Sequence, residues 1–178
     1  MKSPRVVNLY GGPGTGKSTG AAQIFSELKK RGFNVELVTE FAKDKTWENN
    51  SKALECQEYV FGKQSYRLYR CRDKVDIIVT DSPLLLSILY NKNPALDDNF
   101  KRLVRNVYKT YENLNFFLIR VKPYNPVGRN QTEDESKEID KEIRHLLNSL
   151  NIDYNVFDGD QRGYMKIVDK VVRFISDR

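Results

Sequence analysis

The sequence predicts an α/β protein, a three-layer sandwich in which a five-stranded parallel sheet is covered by helices on both faces. Short apolar runs typical of buried strands alternate along the chain with longer segments of helical periodicity, and this alternation favours a parallel sheet. A glycine-rich turn separates the first predicted strand from the first predicted helix. The length of 178 residues suits one domain over 1–178 with a sizeable core.

Strands are predicted where short apolar runs are bounded by turn residues or by polar segments. The run 76–80, Asp-Ile-Ile-Val-Thr, is nearly continuous in apolar residues, as expected of a parallel strand that is buried on both faces. In chain order, the five predicted strands cover 5–10, 34–39, 76–80, 116–121 and 153–157.

Helices are predicted where apolar residues recur every three or four positions. In the first of them, Ala21, Ile24 and Leu28 lie on one face, and Gly32 follows the end of the helix. In chain order, the predicted helices cover 17–31, about 54–71, 96–111, 139–150 and 164–175. Between the fourth strand and the fourth helix, proline, glycine and many polar residues predict a long mobile loop, a lid over about 122–137.

Composition excludes several classes of protein. With 39% hydrophobic and 30% charged residues, the chain is too apolar to be disordered. The longest nearly apolar stretch, 83–90, is far shorter than the ~20 residues of a membrane-spanning helix, so we expect no membrane association. The net charge of +6 favours anionic partners such as nucleotides or nucleic acid.

The rare residue types limit the kinds of site that the chain can build. Cys56 and Cys71 form no Cys-x-x-Cys pair, so we expect neither a disulfide framework nor a zinc-thiolate site. The single histidine, His145, excludes a site that requires two histidines. The first residues predict no signal peptide, and a cytoplasmic location is therefore expected.

The strongest functional signal is a full Gly-x-x-x-x-Gly-Lys-Ser motif between a predicted strand and a predicted helix. Polyphosphate lies against backbone N–H groups in such a loop, so side chains must be absent where the chain wraps around it. Lys17 supplies a charge to the outer phosphates, Ser18 binds Mg²⁺, and Thr19 donates to the inner phosphate. The alternative is a glycine-rich turn with a stray lysine. The predicted ATP-binding residues are Gly11, Gly12, Pro13, Gly14, Thr15, Gly16, Lys17, Ser18 and Thr19.

A second acid follows the third predicted strand. In proteins with such a phosphate loop, an acid in the position of Asp81 holds Mg²⁺ together with the loop serine. The alternative is a helix-capping aspartate, because Asp81 precedes Ser82 and a proline. Ser82 also stands where motor ATPases place a glutamate, and the segment 91–94 lacks the final acid of a guanine-binding motif. Motor ATPases and GTPases are therefore disfavoured.

Glu40 is the candidate catalytic base. It follows the second predicted strand, and ligands of parallel sheets bind at the carboxyl ends of the strands. A kinase that acts on a hydroxyl benefits from a carboxylate that accepts the proton. Asp44 is a second candidate for this role, and a solvated loop acid is the alternative for Glu40. Trp47, the only tryptophan, would either pack against a flat acceptor or belong to the core.

Two arginines of the fourth strand and the lid are candidates for contact with the transferred phosphoryl group. Arg129 is the first choice and Arg120 the second, because a mobile loop that carries an arginine can close over bound nucleotide. An ordinary exposed loop is the alternative. The short turn 158–161 would border the adenine.

Taken together, these motifs resemble the P-loop nucleoside and nucleotide kinases over nearly the whole chain in the order of elements. Thr39-Glu40 followed by Trp47 is similar to the Glu-Pro…Trp segment of deoxynucleoside kinases, whose glutamate is the catalytic base, although Phe41 replaces the proline here. Asp81 with its serine resembles their acid-Arg-Ser segment without the arginine. The passage from Arg120 toward 136 resembles their passage from strand to lid.

The chain also resembles ribosylnicotinamide kinase domains and small bacteriophage P-loop kinases, some of which phosphorylate hydroxymethyluracil within DNA. These resemblances imply a P-loop NTPase sandwich with a lid, the cofactors ATP and Mg²⁺, and the host cytoplasm as location if the chain is encoded by a phage.

Two classes of function follow from the residues. The first is an ATP-dependent kinase whose acceptor is a hydroxyl or phosphate of a nucleoside-type molecule, free or within DNA. The basic segments 63–74 and 101–109, with interleaved tyrosines, would contact such a strand, or else they are solvated helix faces with tyrosines half in the core. The second class is a nucleotide-dependent ATPase or switch that acts on a protein or DNA partner. The oligomeric state is left open.

Overall fold

A parallel sheet lies at the centre of the protein. The structure is a computed structural model that describes residues 4–121, 123–125 and 132–176. Its strands, in chain order, are β1 (Arg5–Tyr10), β2 (Val35–Val38), β3 (Ile77–Thr80), β4 (Glu112–Ile119) and β5 (Asn155–Asp158). They stand side by side in the order β2-β3-β1-β4-β5, and each neighbouring pair is parallel. The predicted five-stranded parallel sheet is thereby confirmed.

Helices connect the strands and cover the sheet. In chain order they are α1 (Lys17–Lys30), α2 (Phe41–Trp47), α3 (Ser51–Glu55), α4 (Gln57–Tyr69), α5 (Leu86–Tyr90), α6 (Asp97–Tyr108), α7 (Glu133–Ser149) and α8 (Gln161–Ser176), with a 3₁₀ turn at Pro94–Leu96. Within the described ranges, every helix is too short or too polar to cross a bilayer.

The side chains of β1 alternate between two apolar cores, because successive residues of a strand point to opposite faces. Val6 and Tyr10 are fully buried in the core that α4, α6 and α7 cover. Val7 and Leu9 are fully buried in the core that α1 and α8 cover. Two covered faces make the three-layer sandwich that the sequence predicts.

Tertiary contacts create two short helices where the sequence pattern predicts none. Helix α2 lies in a polar stretch, and only Phe41 of its residues is buried. Helix α5 follows the buried strand β3 and buries Leu86 and Ser87. The single helix predicted over 54–71 corresponds to two helices in the structure, the end of α3 and all of α4, which are separated at Cys56.

The predicted lid differs from the structure at its far end, because α7 begins well before the predicted start at 139. Thr132 and Glu135 form a capping box, in which each side chain accepts from the backbone N–H of the other. Residues 133–137 of the predicted lid are therefore helical, whereas 122 and 126–131 lie outside the described residues. The mobile lid and the assignment of 1–178 to one domain stay predictions.

Replacing either of two helical glycines by alanine should change the free energy of unfolding, in opposite directions. A Cβ at Gly20 of α1 would lie 2.6 Å from the ring of buried Tyr164, so Gly20→Ala should lower the free energy of unfolding by about 1–3 kcal/mol through overpacking. At Gly62 of α4 nothing lies within 4 Å of an added Cβ, so Gly62→Ala should raise it by about 0.5–1 kcal/mol through helix propensity. Urea unfolding measures both values. Stabilisation by both substitutions would contradict the packing of α1 on Tyr164.

Candidate active site

The turn between β1 and α1 exposes backbone groups rather than side chains. Gly11, Gly14 and Gly16 have φ angles of 137°, 83° and 94°, a region of backbone conformation that glycine enters without steric cost. Helix α1 begins at Lys17, directly after the turn. The unpaired N–H groups and the positive end of the helix dipole therefore lie at this loop, which favours the binding of an anion.

The α8 side of the molecule supports the end of the loop. The Tyr164 hydroxyl lies 2.9 Å from the carbonyl oxygens of both Gly16 and Gly159, to which it can donate. A Cβ at Gly16 would lie 2.3 Å from this hydroxyl, so the contact requires glycine. The predicted adenine border, 158–161, thus packs on the loop, and its contact with adenine stays a prediction.

The α7 side supports the start of the loop. Arg120, which follows β4, donates from Nη1 to the Pro13 carbonyl oxygen at 2.6 Å and pairs through Nη2 with Asp140 Oδ2 at 3.0 Å. The other oxygen of Asp140 accepts from the N–H of Gly12. Ser136 Oγ adds a hydrogen bond to the Pro13 carbonyl at 3.1 Å. The loop is therefore tied to β4 and α7 through its own backbone.

Lys17 lies among carboxylates and backbone carbonyls. Its Nζ donates to the carbonyl oxygens of Gly11 at 2.6 Å and of Gly12 at 3.1 Å. Burial lowers the pKa of the Lys17 ammonium from its ordinary value, and the charges of Glu40 and Asp81 act in the opposite direction. A poorly solvated cation interacts strongly with an anion held against the same loop.

Asp81 lies at the end of β3, beside β1, and is only 4% exposed. Its Oδ1 is buried and has no hydrogen-bond partner among the described residues. It caps no helix, since α5 begins at Leu86 and has no side-chain cap bond. Ser18, in the first turn of α1, lines the same cavity as Asp81. A buried carboxylate oxygen and a serine hydroxyl fit a hard cation such as Mg²⁺, which prefers oxygen ligands.

Gln64 of α4 holds the backbone on both sides of Glu40. Its Oε1 accepts from the Phe41 N–H at 2.8 Å, and its Nε2 donates to the Thr39 carbonyl oxygen at 3.3 Å. The Gln64 side chain is itself buried. Glu40 is the N-terminal cap residue of α2, but its carboxylate makes no capping bond and instead lines the cavity.

The electrostatic surroundings make the Glu40 carboxylate more basic. Burial raises its pKa from the ordinary value, the Lys17 cation lowers it, and the charge of Asp81 raises it again, with a net rise. A carboxylate with a raised pKa holds an abstracted proton better than an ordinary one.

The other predicted site residues have surroundings that differ from one residue to the next. Asp44, the second candidate base, is ion-paired with Arg67 of α4 rather than directed at the cavity. Trp47 is 62% exposed and lines the cavity, so the alternative of a core position is wrong. Arg120 anchors the loop, as described above, and Arg129 lies outside the described residues.

One continuous cavity of about 670 Å³ joins these groups. At one end it reaches the glycine-rich loop and the start of α1, and at the other it reaches α2 to α5. The loop end is lined by Pro13, Gly14, Gly16, Lys17, Ser18, Thr19 and Asp81. The other end is lined by Glu40, Trp47, Leu54, Val60, Gln64, Leu86, Ser87 and Tyr90, with Lys43 and Lys92.

Several residues that build the site have no signature in the sequence. Gln64, Ser136, Asp140 and Tyr164 lie far along the chain from the loop or the acid that they support. None belongs to a short motif, and only the capping box upstream of Ser136 marks where its helix begins.

The chain is similar to one protein family and to solved structures of known proteins. A family model described as an AAA domain matches residues 6–162. No curated protein matches the sequence. Among solved structures, the chain is similar to the deoxyadenosine kinase from M. mycoides with bound dATP, with a TM-score of 0.56 and 16% sequence identity. The superposition covers 94% of this chain and 99% of that chain, so the two share a fold along their whole length.

The anchor at Asp140 can be tested by two substitutions. Asp140→Ala leaves the Gly12 N–H and Nη2 of Arg120 without the Asp140 acceptor, so the free energy of unfolding should fall by about 1–3 kcal/mol. Asp140→Asn keeps an amide oxygen that can accept from the Gly12 N–H, so it should lower the free energy of unfolding by less. Urea unfolding gives the free energies, and hydrogen exchange should be faster at the Gly12 amide in Asp140→Ala. An unchanged exchange rate would contradict the anchor.

Proposed function

This chain belongs to the AAA domain family. Within that family, we propose that it is an ATP-dependent kinase. It transfers the γ-phosphoryl group of ATP to a hydroxyl, or a phosphate, of a nucleoside-type acceptor. The observation that carries the proposal is the continuous cavity of about 670 Å³, in which a phosphate-binding loop and a basic carboxylate face the same space.

The loop end of the cavity suits the phosphates of ATP. The N–H groups at the start of α1 and the Lys17 ammonium provide positive charge, and the anchors on both sides keep the loop rigid. Ser18 and Asp81 fit Mg²⁺, which neutralises charge on the phosphates when it is bound.

The other end of the cavity suits a flat, partly apolar acceptor. Trp47, Leu54, Val60 and Leu86 offer apolar and aromatic contacts, and Ser87 offers a hydroxyl. The similar fold of deoxyadenosine kinase, with its bound dATP, supports a nucleoside as the acceptor class. The acceptor nucleoside is free or part of DNA, for instance a hydroxymethylated pyrimidine.

In the proposed reaction, the acceptor oxygen forms a bond to the γ-phosphorus while the bond from that phosphorus to the β–γ bridging oxygen breaks. ADP leaves, and the proton of the acceptor hydroxyl passes to the Glu40 carboxylate. Gln64 positions Glu40 through the flanking backbone, so the carboxylate meets the acceptor in a defined place. Arg129 of the predicted lid covers the phosphoryl group in this proposal.

Transfer of label from γ-labelled ATP tests the proposal directly. The acceptor panel contains nucleosides, nucleotides, nicotinamide riboside, and plain and hydroxymethylated DNA. We expect a labelled product with at least one member. Release of ADP without any acceptor, together with no labelled product across the panel, would favour a nucleotide-dependent ATPase or switch instead.

Three variants separate the roles of the charged residues. Lys17→Ala should abolish transfer, because the phosphates lose their buried cation. Glu40→Gln should leave ATP binding intact but lower turnover at least ~100-fold, the lower range for loss of a general base. Asp44→Asn is the matched control, since this nearby carboxylate is paired with Arg67, and should retain turnover close to that of the unmodified protein. Unchanged turnover in Glu40→Gln would remove Glu40 from the mechanism.

The pH dependence of turnover follows from the raised pKa of Glu40. Only the deprotonated carboxylate accepts a proton, so turnover should fall as the pH decreases through that pKa, at a pH above the value of about 4.3 for an ordinary glutamate. Steady-state rates at saturating ATP and acceptor give this acidic limb. The residual activity of Glu40→Gln should lack the limb, and an identical limb in that variant would assign it to another group.

A further inference from the structure

Three of the four most exposed aromatic side chains of the described residues lie on α4, and the fourth, Trp47, ends α2. Trp47, Tyr59, Tyr66 and Tyr69 are 62%, 40%, 64% and 59% exposed. Aromatic rings of this size are usually at least half buried, so several exposed rings on one side of a protein indicate a binding surface. The Phe41 and Tyr59 rings pack edge to face at 5.5 Å and join α2 to α4.

The outer face of α4 alternates rings and cations along one line. Tyr59, Lys63, Tyr66 and Arg70 are spaced by four, three and four residues, which places them on the same side of a helix. The opposite side of α4 is buried in the core and in the cavity wall. Gly62 lies within the outer face, and nothing lies within 4 Å of a Cβ added there, so this part of the face is open.

The charge of this face is positive and largely unpaired. The segment 57–74 contains five basic and two acidic residues. Lys63 and Arg70 have no carboxylate partner within the described part of the chain. Lys63 Nζ lies 5.5 Å from the centre of the Tyr59 ring, and Arg72 lies 5.6 Å from that of Tyr69. Cations beside exposed rings suit a ligand that carries both negative charge and flat apolar surfaces.

The other basic segment provides a contrast. In 101–109 the one tyrosine, Tyr108, is only 6% exposed and belongs to the core, as does Tyr111 just beyond the segment. For that segment the burial of Tyr108 favours the alternative of a solvated helix face with tyrosines half in the core. It does not hold for α4, where Tyr66 and Tyr69 are exposed to solvent.

We propose that the outer face of α4 binds a single-stranded nucleic acid. Phosphates of the strand contact Lys63 and Arg70, and unpaired bases stack on Tyr59, Tyr66 and Tyr69. A single strand suits this face better than an acidic protein does. Its unpaired bases provide flat faces that stack on the tyrosine rings, whereas an acidic protein provides the negative charge without regularly spaced flat groups. The relation to catalysis rests on the proposed function and goes no further than the helix itself, which lines the cavity on its other side.

Fluorescence anisotropy with labelled oligothymidylate and oligouridylate of about 12 nucleotides, within the usual site size, tests binding by the full chain. We expect Tyr66→Ala to weaken binding at least about fivefold, and Tyr66→Trp to retain it, because the ring and not the hydroxyl makes the contact. Leu103→Ala, at a side chain 51% exposed on α6, is the matched control and should bind like the unmodified chain. Thermal unfolding of each variant verifies that the fold is kept.

The dependence on salt tests the charge contacts. Lys63→Gln should reduce the slope of log K against log salt by about 0.7, the value for one phosphate contact on a single strand. Lys170→Gln, an exposed lysine of α8 on the other face of the sheet, should leave the slope unchanged.

Specific results would overturn the inference. Equal binding of an abasic oligonucleotide, or unchanged affinity in Tyr66→Ala, would exclude stacking. Displacement of the strand by polyglutamate at equal charge concentration would point to an acidic protein partner instead. Phosphoryl transfer to free nucleosides without strand binding would refute this inference alone, whereas strand binding without any transfer would refute only the proposed function.

Discussion

The site depends on one constraint: the loop must hold its shape while the backbone N–H groups at the start of α1 stay open to an anion. Side chains cannot fill such a loop, so much of its support comes from residues outside it. Tyr164 of α8 bonds to the carbonyl oxygens at one end, and Arg120 with Asp140 holds the other. The shape of the loop therefore depends on contacts with segments that are distant in the chain.

The order of the strands brings the remaining chemistry to the loop. Strand β1 lies between β3 and β4, so the residues that follow those two strands, Asp81 and Arg120, end beside the loop. Strand β2 lies next to β3, which places Glu40 at the same edge. In a parallel sheet all carboxyl ends meet at one edge, and this explains how the loop, Glu40 and Asp81, far apart in the chain, line one cavity.

Helix α4 links the interior of the site to the surface. Its buried side carries Gln64, which holds the backbone around Glu40, and Arg67, which engages Asp44. Its exposed side carries Tyr66 and Tyr69 with neighbouring cations. A strand bound outside and a nucleoside bound inside would therefore contact the same helix.

The sequence by itself determined the features that arise from neighbouring residues. These are the alternation of strands and helices, the glycine-rich loop before Lys17, and the acids Glu40 and Asp81 after their strands, because turn conformation and periodicity are local properties. Only the tertiary structure decided which arginine anchors the loop, that Asp44 is engaged elsewhere, and that Gln64 and Asp140 belong to the site. It also decided that Tyr66 and Tyr69 of one basic segment are exposed and that Tyr108 of the other is buried. Such pairings depend on how helices pack on the sheet, and no short stretch of sequence encodes that packing.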